Sequence, residues 1–164
     1  MEHKVKFKIQ QVALCPLRAP AAIKLLEKIG LVTWTTDTVL ATGTVRGAEG
    51  TNVANLAFNY EAFDGNELEL LDYVDGPNWV VNARPSVSHL GMHCTEGELD
   101  AWKALFKAEG IPIAQEVFTS RHTNPYLVRN GRKYHYCIFD TRDILGTDLK
   151  FIVRIEDPVL GQDG

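Results

Sequence analysis

Five histidines and three cysteines are the side chains of this 164-residue chain best suited to hold a metal or attack a substrate, and their spacing excludes several familiar sites. Cys15, Cys94 and Cys137 form no CxxC pair, and an odd count makes a poor disulfide framework. Each lies in a strand-like stretch, where a reduced cysteine behaves as a small hydrophobe. No nucleophile elbow, phosphate-cradling glycine loop, dinucleotide fingerprint or zinc-finger spacing occurs. Within residues 87–94, His89 and His93 share one face by the strand period of two. Tyr134-His135-Tyr136 lies in another strand-like stretch, so either His135 or the two tyrosines face inward. Arg121, His122, Asn124 and Tyr126 fall in a polar, aromatic segment that reads as a lid or as a solvated hairpin.

These residues need elements to position them, and the elements repeat. Residues 6–15 alternate like a strand, and residues 21–29 carry apolar residues at helical spacing. Pro20 suits the helix start and Gly30 the left-handed residue beyond its end. Strand-like stretches follow at 32–45, 53–60 and 67–73, separated by turn-rich residues at 46–50 and 63–66. Residues 74–86, punctuated by Gly76-Pro77 and Pro85, read as a linker between a first module, 1–73, and a second, 87–164. The order then returns: strand 87–94, helix 96–109 before Gly110, and strands at 112–119, 134–140 and 148–155. Gln11 to His89 is 78 residues, Gly30 to Gly110 is 80, and Glu69 to Lys150 is 81, a nearly constant offset along the chain. Thr95 and Glu98 predict a capping box for the second helix, with Leu99, Trp102, Leu105 and Phe106 on its buried face. Extra residues at 120–133 include Arg129-Asn130-Gly131, a turn that suits a tight hairpin.

Composition bounds the partners. With 45% hydrophobic and 23% charged residues, the chain has the make-up of one globular domain with a continuous core. A net charge of −4 from interspersed residues presents no basic face for nucleic acid or an anionic membrane, so a small-molecule ligand is expected. The first residues lack the apolar core of a signal peptide, and no apolar run has the length of a membrane span, so a cytoplasmic location is expected.

Four short strand segments, Gln11-Val12-Ala13-Leu14, Glu67-Leu68-Glu69-Leu70, His89-Leu90-Gly91-Met92 and Asp148-Leu149-Lys150-Phe151, in this order and at the repeat offset, resemble the vicinal oxygen chelate superfamily. That group includes glyoxalase I, extradiol dioxygenases, methylmalonyl-CoA epimerase, fosfomycin-resistance enzymes and bleomycin-binding proteins. The resemblance covers residues 6–156 and implies an α+β fold of two βαβββ modules forming a curved mixed sheet around a concave site. It also implies one inward ligand from the first and last strand of each module, at Gln11, Glu69, His89 and Lys150. Gln11, Glu69 and His89 suit a divalent metal such as zinc, nickel, iron or manganese. Lys150 does not, because an ammonium about 4 Å from a dication costs about 8 kcal/mol at an effective dielectric of about 20. The alternative is a Lys150–Glu69 ion pair in the place of a metal.

Two functions follow from the resemblance. One is an enzyme, a lyase, isomerase or dioxygenase, with Glu69, Lys150 and His93 as catalytic residues and Tyr134, His135, Tyr136 and Arg154 binding the ligand. The other is a metal-free protein that sequesters a drug-like ligand, drawing on Trp34, Phe58, Tyr60, Trp79, Tyr126 and the two tyrosines. The two modules close one site within a chain or exchange across a homodimer; the apolar module faces make a homodimer plausible.

Overall fold

A computed structural model of the chain describes residues 6–77 and 86–156. The first half runs β1 (Gln11–Cys15), α1 (Ala19–Lys28), β2 (Thr35–Val45), β3 (Ala48–Asn59) and β4 (Glu67–Asp75). The second runs β5 (Ser86–Cys94), α2 (Glu96–Ala108), β6 (Ile113–Arg121), α3 (Pro125–Arg129), β7 (Arg132–Phe139), α4 (Arg142–Leu145) and β8 (Asp148–Glu156). Most of the expected linker, and with it Trp79, lies outside the described residues.

The curved sheet closes on itself. Strands follow the order β1-β4-β3-β2-β6-β7-β8-β5 around a barrel of eight. Within each half the first and last strands pair in parallel, Gln11 beside Glu67 and His89 beside Asp148. The halves join at two antiparallel seams, β1 with β5 and β2 with β6, so both modules close one interior within a single chain. At the second seam a Cβ on Gly43 would lie 2.2 Å from the Glu116 carbonyl oxygen, and only glycine permits that approach of the strands.

α2 covers the barrel from outside. Thr95 and Glu98 form the capping box, with Glu98 N–H donating to Thr95 Oγ1 at 3.2 Å and Thr95 N–H to Glu98 Oε2 at 2.8 Å. Leu99, Trp102 and Phe106 bury against Phe139, Phe151 and Val153, while Leu105 packs at the cluster's margin. The Phe106 ring stacks on Phe139 at 4.2 Å between centroids. By contrast α1 buries no residue fully, and Leu25 and Ile29 remain exposed.

Several boundaries differ from expectation: the first strand begins at Gln11 rather than at residue 6. Arg46 and Gly47 both adopt positive φ, the primed hairpin geometry, so the turn takes two residues and β3 begins at Ala48. Val32 and Thr33 are not in a strand, because their N–H groups donate to the Glu61 carboxylate. The 120–133 insertion is not a tight hairpin either: Asn124 caps Tyr126 N–H, Pro125 opens α3, and Asn130-Gly131 ends that helix.

Candidate functional site

Period-two alternation turns Gln11, Ala13 and Cys15 into the barrel, all three buried, while Val12 and Leu14 are half-buried toward the helix side. The interior opens into a cavity of about 500 Å³ lined by residues of both modules. At its floor Gln11, Glu69 and Lys150 come together, and fully buried His89, which does not itself line the cavity, contacts Gln11 and Glu69; all four are at most 7% exposed.

Their contacts form one network. Gln11 donates from Nε2 to Glu67 Oε2 at 2.6 Å, which leaves its Oε1 facing His89 Nε2 at 2.8 Å and Lys150 Nζ at 3.4 Å. His89 Nδ1 meets the Ser88 hydroxyl at 3.2 Å. With the Nε2 proton directed at Gln11, the Ser88 hydroxyl donates to Nδ1 and fixes the tautomer. A Cβ on Gly91 would come within 3.0 Å of the Gln11 side chain, so glycine between His89 and His93 makes room for this amide.

Glu69 Oε2 lies 3.2 Å from His89 Nε2 and 3.9 Å from Lys150 Nζ, yet it accepts no hydrogen bond among the described residues. The contact with His89 is therefore electrostatic, the ring proton being committed to Gln11. Burial alone would push Glu69 up, but the Lys150 ammonium holds its carboxyl below the usual range. Burial first, and the Lys150 charge second, push His89 down to about 4 against the pull of Glu69, so the ring is neutral. Lys150 Nζ also stands 4.3 Å over the Tyr136 ring.

A divalent metal does not fit this set. Gln11 Oε1, Glu69 Oε2 and His89 Nε2 are spaced like neighbouring donors of a coordination shell, but Lys150 Nζ stands 3.4 Å from the first oxygen and 3.9 Å from the second. A dication there would meet repulsion of about 8 kcal/mol from the ammonium at an effective dielectric of about 20. Among the described residues, no three His, Cys, Asp or Glu side chains are grouped to hold a metal.

Around this floor, His93 lines the cavity at its mouth, 3.7 Å from Glu67 Oε1. Tyr134, Tyr136 and Arg154 line the walls, the two tyrosine rings stacked at 5.7 Å. His135 does not join them. Because the tyrosines take the inner face of β7, His135 faces out toward α2, where it bridges Glu96 at 2.9 Å and Glu116 at 2.8 Å and stacks on Phe118. Asp148 likewise stays outside the cavity, 3.1 Å from Arg142. Asp37, not singled out from sequence, lines the cavity with His122. Its signal was a lone carboxylate among the threonines and apolar residues of β2, in phase with buried Val39 and Ala41.

The architecture matches solved structures. Methylmalonyl-CoA epimerase from Mycobacterium tuberculosis superposes with a TM-score of 0.53 at 13% identity, over 98% of this chain and 99% of that one. The chain has the vicinal oxygen chelate fold. A hypothetical protein from Bacillus halodurans C-125 is also similar, with a TM-score of 0.52 and 13% identity over 92% of this chain and 96% of its own. No protein-family model matches the sequence, and no curated protein matches it. At such identities the likeness is one of fold. No helix among the described residues is long and apolar enough to cross a membrane.

Proposed function

We propose that this vicinal oxygen chelate protein moves a proton at a carbon beside a carbonyl of a small oxygen-bearing molecule, with Lys150 in the role a metal ion would otherwise fill. The carrying observation is the Glu69 carboxylate, fully buried at the cavity floor, its Oε2 without a hydrogen bond and 3.9 Å from the Lys150 ammonium. In this scheme the substrate carbonyl oxygen accepts a hydrogen bond from Lys150 Nζ. Glu69 takes the proton from the adjacent carbon, and the C–H electron pair moves onto that oxygen as an enolate beside the ammonium. Return of the proton from the Glu69 carboxyl completes the cycle with no other reactant. Drawing Lys150 toward the substrate also weakens the charge that keeps Glu69 acidic, so burial then raises its basicity when a base is needed. Gln11 and His89 position the pair, and His93 and Arg154 stand at the wall.

Solvent-deuterium exchange by proton NMR tests this reading, using chelator-treated protein with 2-oxo acids, 1,3-dicarbonyl compounds and methylmalonyl-CoA. The last is chosen from the name of the Mycobacterium tuberculosis neighbour. Exchange at the carbon beside the carbonyl, unaffected by chelator and lost in Lys150→Met and Glu69→Gln, is expected. Exchange that requires added metal, or persists in Lys150→Met, overturns it. A second reading, ligand sequestration without chemistry, draws on the aromatic lining of Phe58, Tyr60, Tyr126, Tyr134 and Tyr136; tight binding with no exchange in any compound favours it. Trp34 lends no support, since its indole N–H donates to the Leu31 carbonyl and it does not line the cavity.

A further inference from the structure

The cavity carries a second polar group, at the opposite end of an aromatic wall from Lys150. His122 belongs to the insertion that follows β6, and its Nδ1 lies 2.6 Å from Asp37 Oδ2. Asp37 Oδ1 accepts Thr123 N–H at 2.8 Å and Asn124 N–H at 2.9 Å, so one carboxylate of the first module pins the insertion of the second. Asn124 Nδ2 donates to the Thr36 carbonyl at 3.1 Å, and Thr38 N–H donates to Thr123 Oγ1 at 2.8 Å, which fastens the same strap along β2. With Nδ1 directed at Asp37 Oδ2, Nε2 is the ring atom left to meet a ligand. The His122 side chain is 6% exposed, its Nε2 is buried, and no described residue hydrogen-bonds to it, although the residue lines the cavity. A buried ring nitrogen left unpaired is costly, and a polar ligand group is its natural partner.

The wall between the two ends is aromatic. Lys150 Nζ covers Tyr136, Tyr136 stacks on Tyr134 with 9° between planes, and His122 meets Tyr134 edge-on at 6.0 Å. We infer that His122, fixed by Asp37, accepts a hydrogen bond from a ligand hydroxyl, and that the ligand is a planar unsaturated acid or carbonyl compound lying along Tyr134 and Tyr136. The oxygen group faces Lys150 and the hydroxyl faces His122. This deepens the proposed function and rests on its placement of ligand oxygen at Lys150. A site built to receive a hydroxyl rejects the analogue that lacks it, because Nε2 then stays buried and unpaired.

Calorimetric titration of the full chain with 4-hydroxybenzoate and 4-hydroxycinnamate, against benzoate, cinnamate and the 4-methoxy acids, tests it. At least one hydroxy acid is expected to bind about tenfold or more tighter than both its parent and its methoxy ether. His122→Phe and the more conservative His122→Gln, each checked by thermal melting, are expected to reduce that ratio to about one while the parent acid's affinity stays within about twofold. A ratio near one in the wild type, a ratio that survives in a folded His122 variant, or no binding of any acid overturns the inference. Lys150→Met provides the separate arm: hydroxyl discrimination that persists with unchanged affinity for the acids refutes the role of Lys150 while leaving His122 as the hydroxyl acceptor.

Discussion

Replacing Lys150 with methionine keeps the apolar stem and deletes the charge, leaving the Glu69 carboxylate fully buried without its ammonium. At the 3.9 Å separation, the lost attraction is about 4 kcal/mol at an effective dielectric of about 20. Removing one partner of a buried pair costs about 3–5 kcal/mol in other proteins, which agrees. The loss must depend on pH. In the wild type the folded Glu69 carboxyl lies below its unfolded range, so it adds stability above that range and loses it as pH falls through the folded value. Without Lys150, burial dominates and the folded carboxyl rises above its unfolded range. Its contribution then reverses, worsening as pH increases and relaxing when the group protonates. Urea denaturation at intervals from pH 5 to 8 is expected to show the variant destabilised by about 3–5 kcal/mol at pH 8 and by clearly less at pH 5. A loss under about 1 kcal/mol at pH 8, or one that does not change with pH, would refute the coupling of Lys150 to Glu69.

His89, held at about 4 when folded, resists a proton that the unfolded chain takes near its ordinary value of 6.5. Stability is therefore expected to fall by about 3 kcal/mol as pH drops from 6.5 to 4, and urea titrations of His89→Gln should show that slope flattened. Gly43→Ala would place a Cβ 2.2 Å from the Glu116 carbonyl oxygen and 2.8 Å from Val117 Cα, both backbone atoms that must move. Thermal melts are expected to show a loss of about 1–3 kcal/mol, whereas Gly97→Ala in α2, with nothing within 4 Å, should melt no lower than the wild type.

Much of the fold was legible because both halves carry the same punctuation; strand parity put Gln11, Ala13 and Cys15 on one face, and the resemblance to the vicinal oxygen chelate superfamily implied that Gln11 and Glu69 turn inward. The repeat offset made Gln11 and His89 equivalent positions, the resemblance implied that they converge, and the structure brings them together within one chain. Parity could not decide between His135 and its tyrosine neighbours, because both choices alternate equally well. The decision comes from α2 and β6, whose Glu96 and Glu116 offer the imidazole two carboxylates on the outer face. Closure of the barrel through β2 and β6 was also silent, since a pairing between Leu40 and Arg121 leaves no local trace in either segment. Asp37 escaped for the same reason: it lies 85 residues from His122 of the lid-like segment, and it is an ordinary polar residue until that insertion folds back over β2.

That Lys150 stands where a metal ion would otherwise bind is tested most directly by metal stoichiometry. Wild type and Lys150→Glu are each equilibrated with manganese, cobalt, nickel and zinc, passed through gel filtration, and measured by plasma mass spectrometry. The wild type is expected to elute without stoichiometric metal, and the variant to retain about one ion per chain, because Gln11, Glu69, His89 and the introduced carboxylate then offer four donor atoms. Stoichiometric metal on the wild type, or none on the folded variant, would contradict it.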